Sequence, residues 1–495
     1  MLLKRILESA RLNLIKIAVA EKDAAYSYLD LLDAVTQFQA KIAEEATSSR
    51  PVLVFGRNDF LMLAAMLGAM LSGRAYVPVD AHTPDERLEM IVAASKPSLI
   101  FSTAELTDAQ RGLFSAFTHV EMRTFEKTAD FDVARVDTSN AVSADKIAYI
   151  IYTSGTTGVP KGVAVSVRNL ETFSDWMISD FEQIKENQIL EQPPYSFDLS
   201  IFSIYPSLLT AGTLVSLSKD ETSNFKLLFE RLNTTVINTW ISTPSFVDIF
   251  LLDPSFTQEN HPALTQFIFC GEELTHKTAE KLLAKFPSAT VYNTFGPTEA
   301  TGAISSVKIT PEILESYGRL PIGKAKPGVS LHILDGEIII SGNSVATGYF
   351  ENPEKTAAAF FMLAGMPAYH TGDAGFIDEK GQLNYQGRLD FQVKFNGYRI
   401  ELQDIEAHLI ALSSVNQAIV LAKENDQHKV TALIAVLVAD KPSALTEREF
   451  SKMLKGELAK TLMDYMMPTK FVYRSELPLN QNGKIDRKRL EAEIL

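Results

Sequence analysis

A single cysteine, Cys270, in 495 residues rules out an internal disulfide and any metal site built from several thiolates. Basic residues are outnumbered. With 47 Lys and Arg against 61 Asp and Glu the net charge is −14, whereas a general nucleic-acid binder needs the opposite excess to neutralise phosphates. Long apolar runs are missing too. The richest, Phe60 to Leu71, is too short to cross a bilayer, and Lys4, Arg5, Glu8, Arg11 and Lys16 interrupt the region where a signal peptide would carry its apolar core. No fixed period suggests a repeat array. These absences leave a cytoplasmic chain with no direct membrane insertion, 46% hydrophobic and long enough for two or three folded units, whose ligands are small molecules or a locally matched protein.

What is present is organised around Tyr152 to Gly162, YTSGTTGVPKG, between the apolar run Ile147 to Ile151 and the β-branched run Val163 to Val167. The pattern reads as strand, phosphate-sized loop, strand. Small and hydroxyl residues let backbone N–H groups converge on an anion, glycines permit positive φ, and Lys161 brings a positive charge. The spacing is not that of a P-loop ATPase, because the second glycine comes too early and Lys161 is followed by Gly162. Taken alone, such a stretch is as often an ordinary solvent loop.

The first half alternates strand-like and helix-like segments: Pro51 to Phe55, Phe60 to Leu71, Ala75 to Val79, a helix start at Thr83, Pro84 and Glu86, then Pro97 to Phe101. The rhythm resumes with strands at Gly212 to Leu217, Gln266 to Cys270 and Thr290 to Phe295, and a helix over Thr275 to Phe286. Beyond about residue 328 the texture changes to hairpins, one turning at Asp335 and Gly336. The tail reads as a helix from Glu401, a hairpin from Val415 to Val438 and a helix opening at Thr446 and Glu449, with residues around 387 to 397 as linker. The expected fold is α/β: a large N-terminal domain of α/β layers over residues 1–388, containing a small β-rich subdomain from about 328, and a small α+β C-terminal domain over 389–495.

Five polar clusters follow predicted strands: the phosphate loop, Pro194 to Ser200, Phe269 to Glu272, Asn293 to Ala300 and Tyr369 to Asp373. In an open α/β sheet, ligands bind beyond the carboxyl ends of strands. Any one cluster can be a capped turn; five in series are a site. Asp198, a carboxylate just past a predicted strand, can pair with a cationic group on a ligand. Its bland alternative is an N-cap before the run Leu199 to Leu209.

The ordered set YSYLDLLDAV, SGRAYVPVD, YTSGTTGVPKGV, FDLS, NTFGPTE, GEIIISGNSVATGY, YHTGD, GRLDFQVKFNGYRIELQDIE, LMDYMMP and NGKIDR resembles the motif series of adenylate-forming, amino-acid-activating enzymes, from near residue 26 to the C-terminus. Within that superfamily, PPYSFDLSIFSIYPSLLTAGTL, FIFCGEEL, NTFGPTEAT and HTGDAGF resemble the D-alanine:D-alanyl-carrier-protein ligases, which serve D-alanylation of teichoic acids. The resemblance implies ATP and Mg2+ as cofactors, D-alanine as substrate, and a separate acidic phosphopantetheinylated carrier protein as acceptor. It also implies a mobile C-terminal domain turning at Asp390. It assigns Thr153, Ser154, Gly155, Thr156, Thr157 and Lys161 to the phosphates, Glu299 to the metal, and Asn293, Thr294, Phe295, Thr298, Asp373 and Arg388 to the nucleotide. Lys484 would bridge the substrate carboxylate and the α-phosphate; Asp198, Cys270 and Gly302 would line the amino-acid pocket, with Cys270 favouring the D isomer. Gly302 departs from the bulkier aliphatic residue expected there, which implies a roomier pocket.

No room is expected upstream for a condensation domain or downstream for a carrier domain, so the carrier acts in trans, docking on Lys484, Arg487, Lys488 and Arg489. Three other readings stay open: an adenylating enzyme for another small amino acid, an acyl-CoA synthetase, which Asp198 disfavours, and a degenerate nucleotide sensor. The joint presence of Lys161, Glu299, Asp373 and Lys484 argues against the sensor.

Overall fold

The computed structural model describes residues 2–155, 158–181, 184, 187–478 and 485–495. Its contacts divide the chain into two compact units, one of Met1–Ala81, Val92–Tyr152 and Gly162–Gly387, the other of His82–Ile91, Thr153–Lys161 and Arg388–Leu495.

Among the described residues, the first unit is built on two large sheets. One has seven strands in the order Gly348–Tyr349, Lys161–Ser166, Ile147–Thr153, Tyr76–Asp80, Val52–Gly56, Leu99–Ser102, His119–Glu121. Its inner strands pair in parallel and are buried on both faces, which is why VLVF and IAYII read as continuous apolar runs rather than alternating ones. The helix Phe60–Leu71 is buried on every side, so it shows no amphipathic period; Asp59 accepts from the Met62 N–H at its start. The second sheet has nine strands, and its parallel run Thr213–Ser216, Gln188–Glu191, Thr239–Ser242, Gln266–Phe269, Thr290–Phe295 places successive carboxyl ends along one edge. The helix expected after Thr275 spans His276–Lys285, with Thr275 accepting from Thr278 N–H.

The β-rich part follows the reading from sequence. Val329–Leu334 and Glu337–Gly342 pair antiparallel about Asp335 and Gly336, whose φ values of 50° and 83° match a two-residue primed turn. Met366–Ile377 and Leu383–Arg388 extend the same sheet. The Asn58 side chain ties down the connection ahead of Asp198, donating to Pro193 O at 2.6 Å and accepting from Tyr195 N–H at 2.9 Å.

In the second unit, Gln392–Phe395 and Tyr398–Glu401 form a hairpin ahead of the helix Leu402–Ile410. The hairpin Val415–Glu424 with Val430–Ala439 follows, then the helix Glu447–Leu458, which Thr446 and Glu449 open as a capping box. Phe450, Leu454, Ile405, Leu409 and Leu433 share one apolar core. Arg487 corrects an expectation. It is not free basic ground for a carrier, because its guanidinium donates to Glu406 and to the Val420 carbonyl and lies over the Phe391 ring. Among the described residues no helix is long and apolar enough to cross a membrane.

Candidate active site

Three connections beyond the carboxyl edge of the nine-stranded sheet carry the predicted amino-acid and metal residues. Asp198 opens a 3-10 turn, Asp198–Ser200, that runs into the helix Ile201–Thr210. Its N-cap reading is corrected: Phe197 and Ser200 hold the two cap positions, neither with a side-chain cap bond, and the Ser200 hydroxyl turns back to Phe197 O at 2.8 Å. Asp198 is buried, 7% exposed, and its field reaches the hydroxyl of Tyr149 from the other large sheet. Burial pushes that hydroxyl well above its ordinary pKa and the Asp198 charge adds to the shift. Tyr149 Oη is buried without a hydrogen-bond partner among the described residues. No motif assigns Tyr149 a role, since inside IAYII it looks like any core aromatic.

Cys270 follows the strand Gln266–Phe269 and is buried, its Sγ donating to Gly302 O at 3.8 Å. The expected roomier pocket at Gly302 does not survive the geometry. Its φ is +75°, and a Cβ there would stand 3.0 Å from Phe202 Cε2 and 3.2 Å from Ile201 Cδ1. The missing side chain is a backbone requirement with aromatic packing already against it, not a gap.

Glu299 lies on the turn Thr298–Ala300 after the strand Thr290–Phe295, fully buried. Its Oε1 accepts from the Tyr349 hydroxyl at 2.8 Å and its carbonyl from Ala346 N–H at 2.9 Å. Among the described residues no three His, Cys, Asp or Glu side chains group as a metal cage. A single oriented carboxylate would suit a hard cation that keeps several of its waters.

The nucleotide candidates of this unit are held tightly. Asn293 donates to Pro321 O at 2.9 Å and Thr294 to Phe269 O at 2.8 Å, so both side chains fix the strand end. Phe295 is buried, packed with Ala300, Ile304 and Ile322, its ring 6.0 Å from Tyr385. Arg319, paired with Glu273 at 2.6 Å, lies 5.2 Å over the Tyr385 ring; neither Arg319 nor Tyr385 was signalled by a motif. Asp373 is buried on the strand Met366–Ile377, and Thr371 Oγ1 accepts from its N–H at 2.9 Å while donating to Ile338 O at 2.6 Å.

The phosphate loop counts with the second unit. Ser154 Oγ donates to Arg399 O at 3.1 Å and accepts from Glu401 N–H at 3.3 Å, and Thr153 Oγ1 donates to Lys161 O at 3.5 Å. Gly158 takes φ +77°. The Lys161 ammonium stands 4.0 Å from Glu401. Burial pushes the Glu401 carboxyl up, with Lys161 and Arg399 acting against that rise. Thr156, Thr157 and Lys484 lie outside the described residues. In the same unit Arg388 forks onto Asp390, Nε to Oδ1 at 2.8 Å; burial pushes Asp390 up, but the guanidinium holds it below the usual carboxylate range.

Comparison with known proteins covers both units. The family model described as AMP-binding enzyme matches residues 8–350, and that described as AMP-binding enzyme C-terminal domain matches 404–484. The D-alanine--D-alanyl carrier protein ligase of Lactococcus lactis subsp. lactis is 61% identical over 491 residues, covering 99% of this chain and 98% of that protein. The protein of the same name from Lactiplantibacillus plantarum is 44% identical, covering 96% and 92%. The adenylation domain AlmE of Vibrio cholerae, solved with glycyl-adenosine-5'-phosphate, has a TM-score of 0.83 at 21% identity over 99% of this chain and 97% of that one, a likeness of fold. The chain belongs to the AMP-binding enzyme family, and within it to the family of the D-alanine--D-alanyl carrier protein ligases.

Proposed function

We propose that the protein activates D-alanine with ATP and passes it to the phosphopantetheine thiol of a separate carrier protein. In the first half-reaction a carboxylate oxygen of D-alanine attacks the α-phosphorus, the bond to the β-phosphate bridging oxygen breaks, and pyrophosphate leaves. In the second, the deprotonated thiol attacks the acyl carbon and AMP leaves. The observation that carries the reading is the buried carboxylate of Asp198 just past a strand at the carboxyl edge of the sheet, placed where a substrate ammonium can meet it.

The residues divide the work. Asp198 binds the α-ammonium group, while the Cys270–Gly302 wall limits the side chain. Glu299 is the residue that would hold Mg2+, whose charge, when bound, screens the triphosphate from the incoming carboxylate. Thr153, Ser154, Gly155, Thr156, Thr157 and Lys161 hold the phosphates, Asp373 and Arg388 the ribose, and Asn293, Thr294, Phe295 and Thr298 shape the floor beside the base. Lys484 serves adenylate formation, and residues 389–495 turn about Asp390 between the half-reactions. The setting is the cytoplasm and the final acceptor a teichoic acid.

ATP/pyrophosphate exchange measured with D-alanine, L-alanine, glycine and D-serine tests the assignment, followed by thioester formation on a phosphopantetheinylated carrier. D-alanine should give the highest kcat/KM. Preference for another amino acid, or turnover of coenzyme A in place of carrier, would refute it.

A further inference from the structure

Lys326 belongs to none of the motifs, yet it is buried, 3% exposed, and has no acidic partner among the contacts that hold it. Its ammonium donates to Ala303 O at 2.7 Å and lies 4.9 Å from the centre of the Phe173 ring and 5.1 Å from that of Trp176. Its own N–H donates to Ile304 O at 2.9 Å. Burial drops its pKa to about 7. An ammonium placed this deep is costly unless something needs it there.

What it holds is the segment between the metal and amino-acid candidates. From Glu299 the chain passes through two successive left-handed residues, Thr301 at φ 61° and Gly302 at φ 75°, before rejoining the strand Ser305–Ile309. The Thr301 hydroxyl fastens one side of this step to Ser344 O at 2.8 Å, and Cys270 reaches Gly302 O. Lys326 fastens the far side at Ala303. Phe173, one of the two rings beneath the ammonium, is also the ring a Gly302 Cβ would meet at 3.5 Å, and it packs edge-on against Phe202 at 4.9 Å. Ammonium, rings and wall are thus one contact chain.

We infer that Lys326 is a positioning residue for amino-acid selection: by fixing the Ala303 carbonyl over the Phe173–Trp176 rings, it holds the Gly302 wall that faces Cys270. The inference rests on the proposed function. It requires that the lysine act as a hydrogen-bond donor, not as filling.

The test compares Lys326→Met, which keeps the volume and deletes the donor, with Lys326→Arg, which keeps cation and donor at greater bulk. Wild-type exchange with D-alanine is measured first; its absence would overturn the proposed function and, with it, a role for Lys326 in amino-acid selection. With an active wild type, Lys326→Met should raise the KM for D-alanine about tenfold and lower the D/L ratio of kcat/KM, with ATP KM within twofold, since a wall displaced by a fraction of an ångström loses orientation. Lys326→Arg should lie nearer wild type than Met. An unchanged D-alanine KM and D/L ratio in a folded Lys326→Met protein overturns the inference, as does a Met variant closer to wild type than the Arg variant, which would make the site one of volume. If the Arg protein does not fold, the D-alanine and ATP KM values of the Met variant decide alone.

Discussion

Replacing Asp198 by Asn removes one charge and almost no volume from a carboxylate that is 7% exposed. In the proposed complex that carboxylate is the counterion of the substrate ammonium. Breaking a buried pair by neutralising one partner costs about 3 to 5 kcal/mol, because the other charge is left unpaired away from water. At about 1.4 kcal/mol per decade, kcat/KM for D-alanine should fall by roughly two to three and a half orders of magnitude. The amide oxygen of Asn still accepts a hydrogen bond, which favours the lower end. Pyrophosphate exchange with varied D-alanine and saturating ATP reads the loss; the ATP KM should stay within about twofold. Propionate, which is alanine without the amine, supplies the control. It should be rejected by the wild type, where it strands the Asp198 charge, and relatively better accepted by Asp198→Asn. The fold should hold, since the change keeps the shape of the side chain. A D-alanine KM within twofold of wild type would show that Asp198 does not meet the ammonium, and the choice of an amino acid over a simple acyl substrate would lose its structural basis.

Gly302→Ala should destabilise the protein by about 2 to 4 kcal/mol, the left-handed penalty plus overpacking against Phe202 and Ile201, read as a lower urea midpoint at unchanged m; a neutral effect would restore the reading of an unfilled pocket. Cys270→Ala should release a thiol's volume from the wall, lowering the D/L ratio of kcat/KM by roughly tenfold with the ATP KM unmoved, and an unchanged ratio would make Cys270 a core residue only. Asp390→Pro should impair thioester formation more than adenylate formation because it fixes φ, whereas Asp390→Ala, which also releases the Arg388 fork, should not separate the two; equal losses in the Pro variant would count against the hinge.

Much of the fold was legible because the elements that carry the site are strongly patterned. Phe60–Leu71, the hairpin about Asp335 and Gly336 and the start of the helix after Thr446 appear where their composition predicts, since an apolar block, a primed turn and a capping box each leave few alternatives to the chain. The placement of Asp198, Cys270 and Glu299 just past strands was legible as well, since polar or small residues close each apolar run. Arg487 and Lys326 were misread or unread for one reason: a basic side chain in sequence looks like solvent-facing charge, and only packing shows that one forks onto Glu406 while the other sits beneath Phe173 and Trp176. Gly302 was misread for the complementary reason. A glycine where a larger residue is expected looks like missing volume, but volume is decided by neighbours and backbone together, and here φ +75° excludes most side chains before packing is considered. Because the step at Thr301 and Gly302 is anchored at Ser344, Cys270 and Lys326, the size of the proposed amino-acid pocket would depend on Ser344 and Lys326, which are not among its lining candidates, as well as on Cys270, which is.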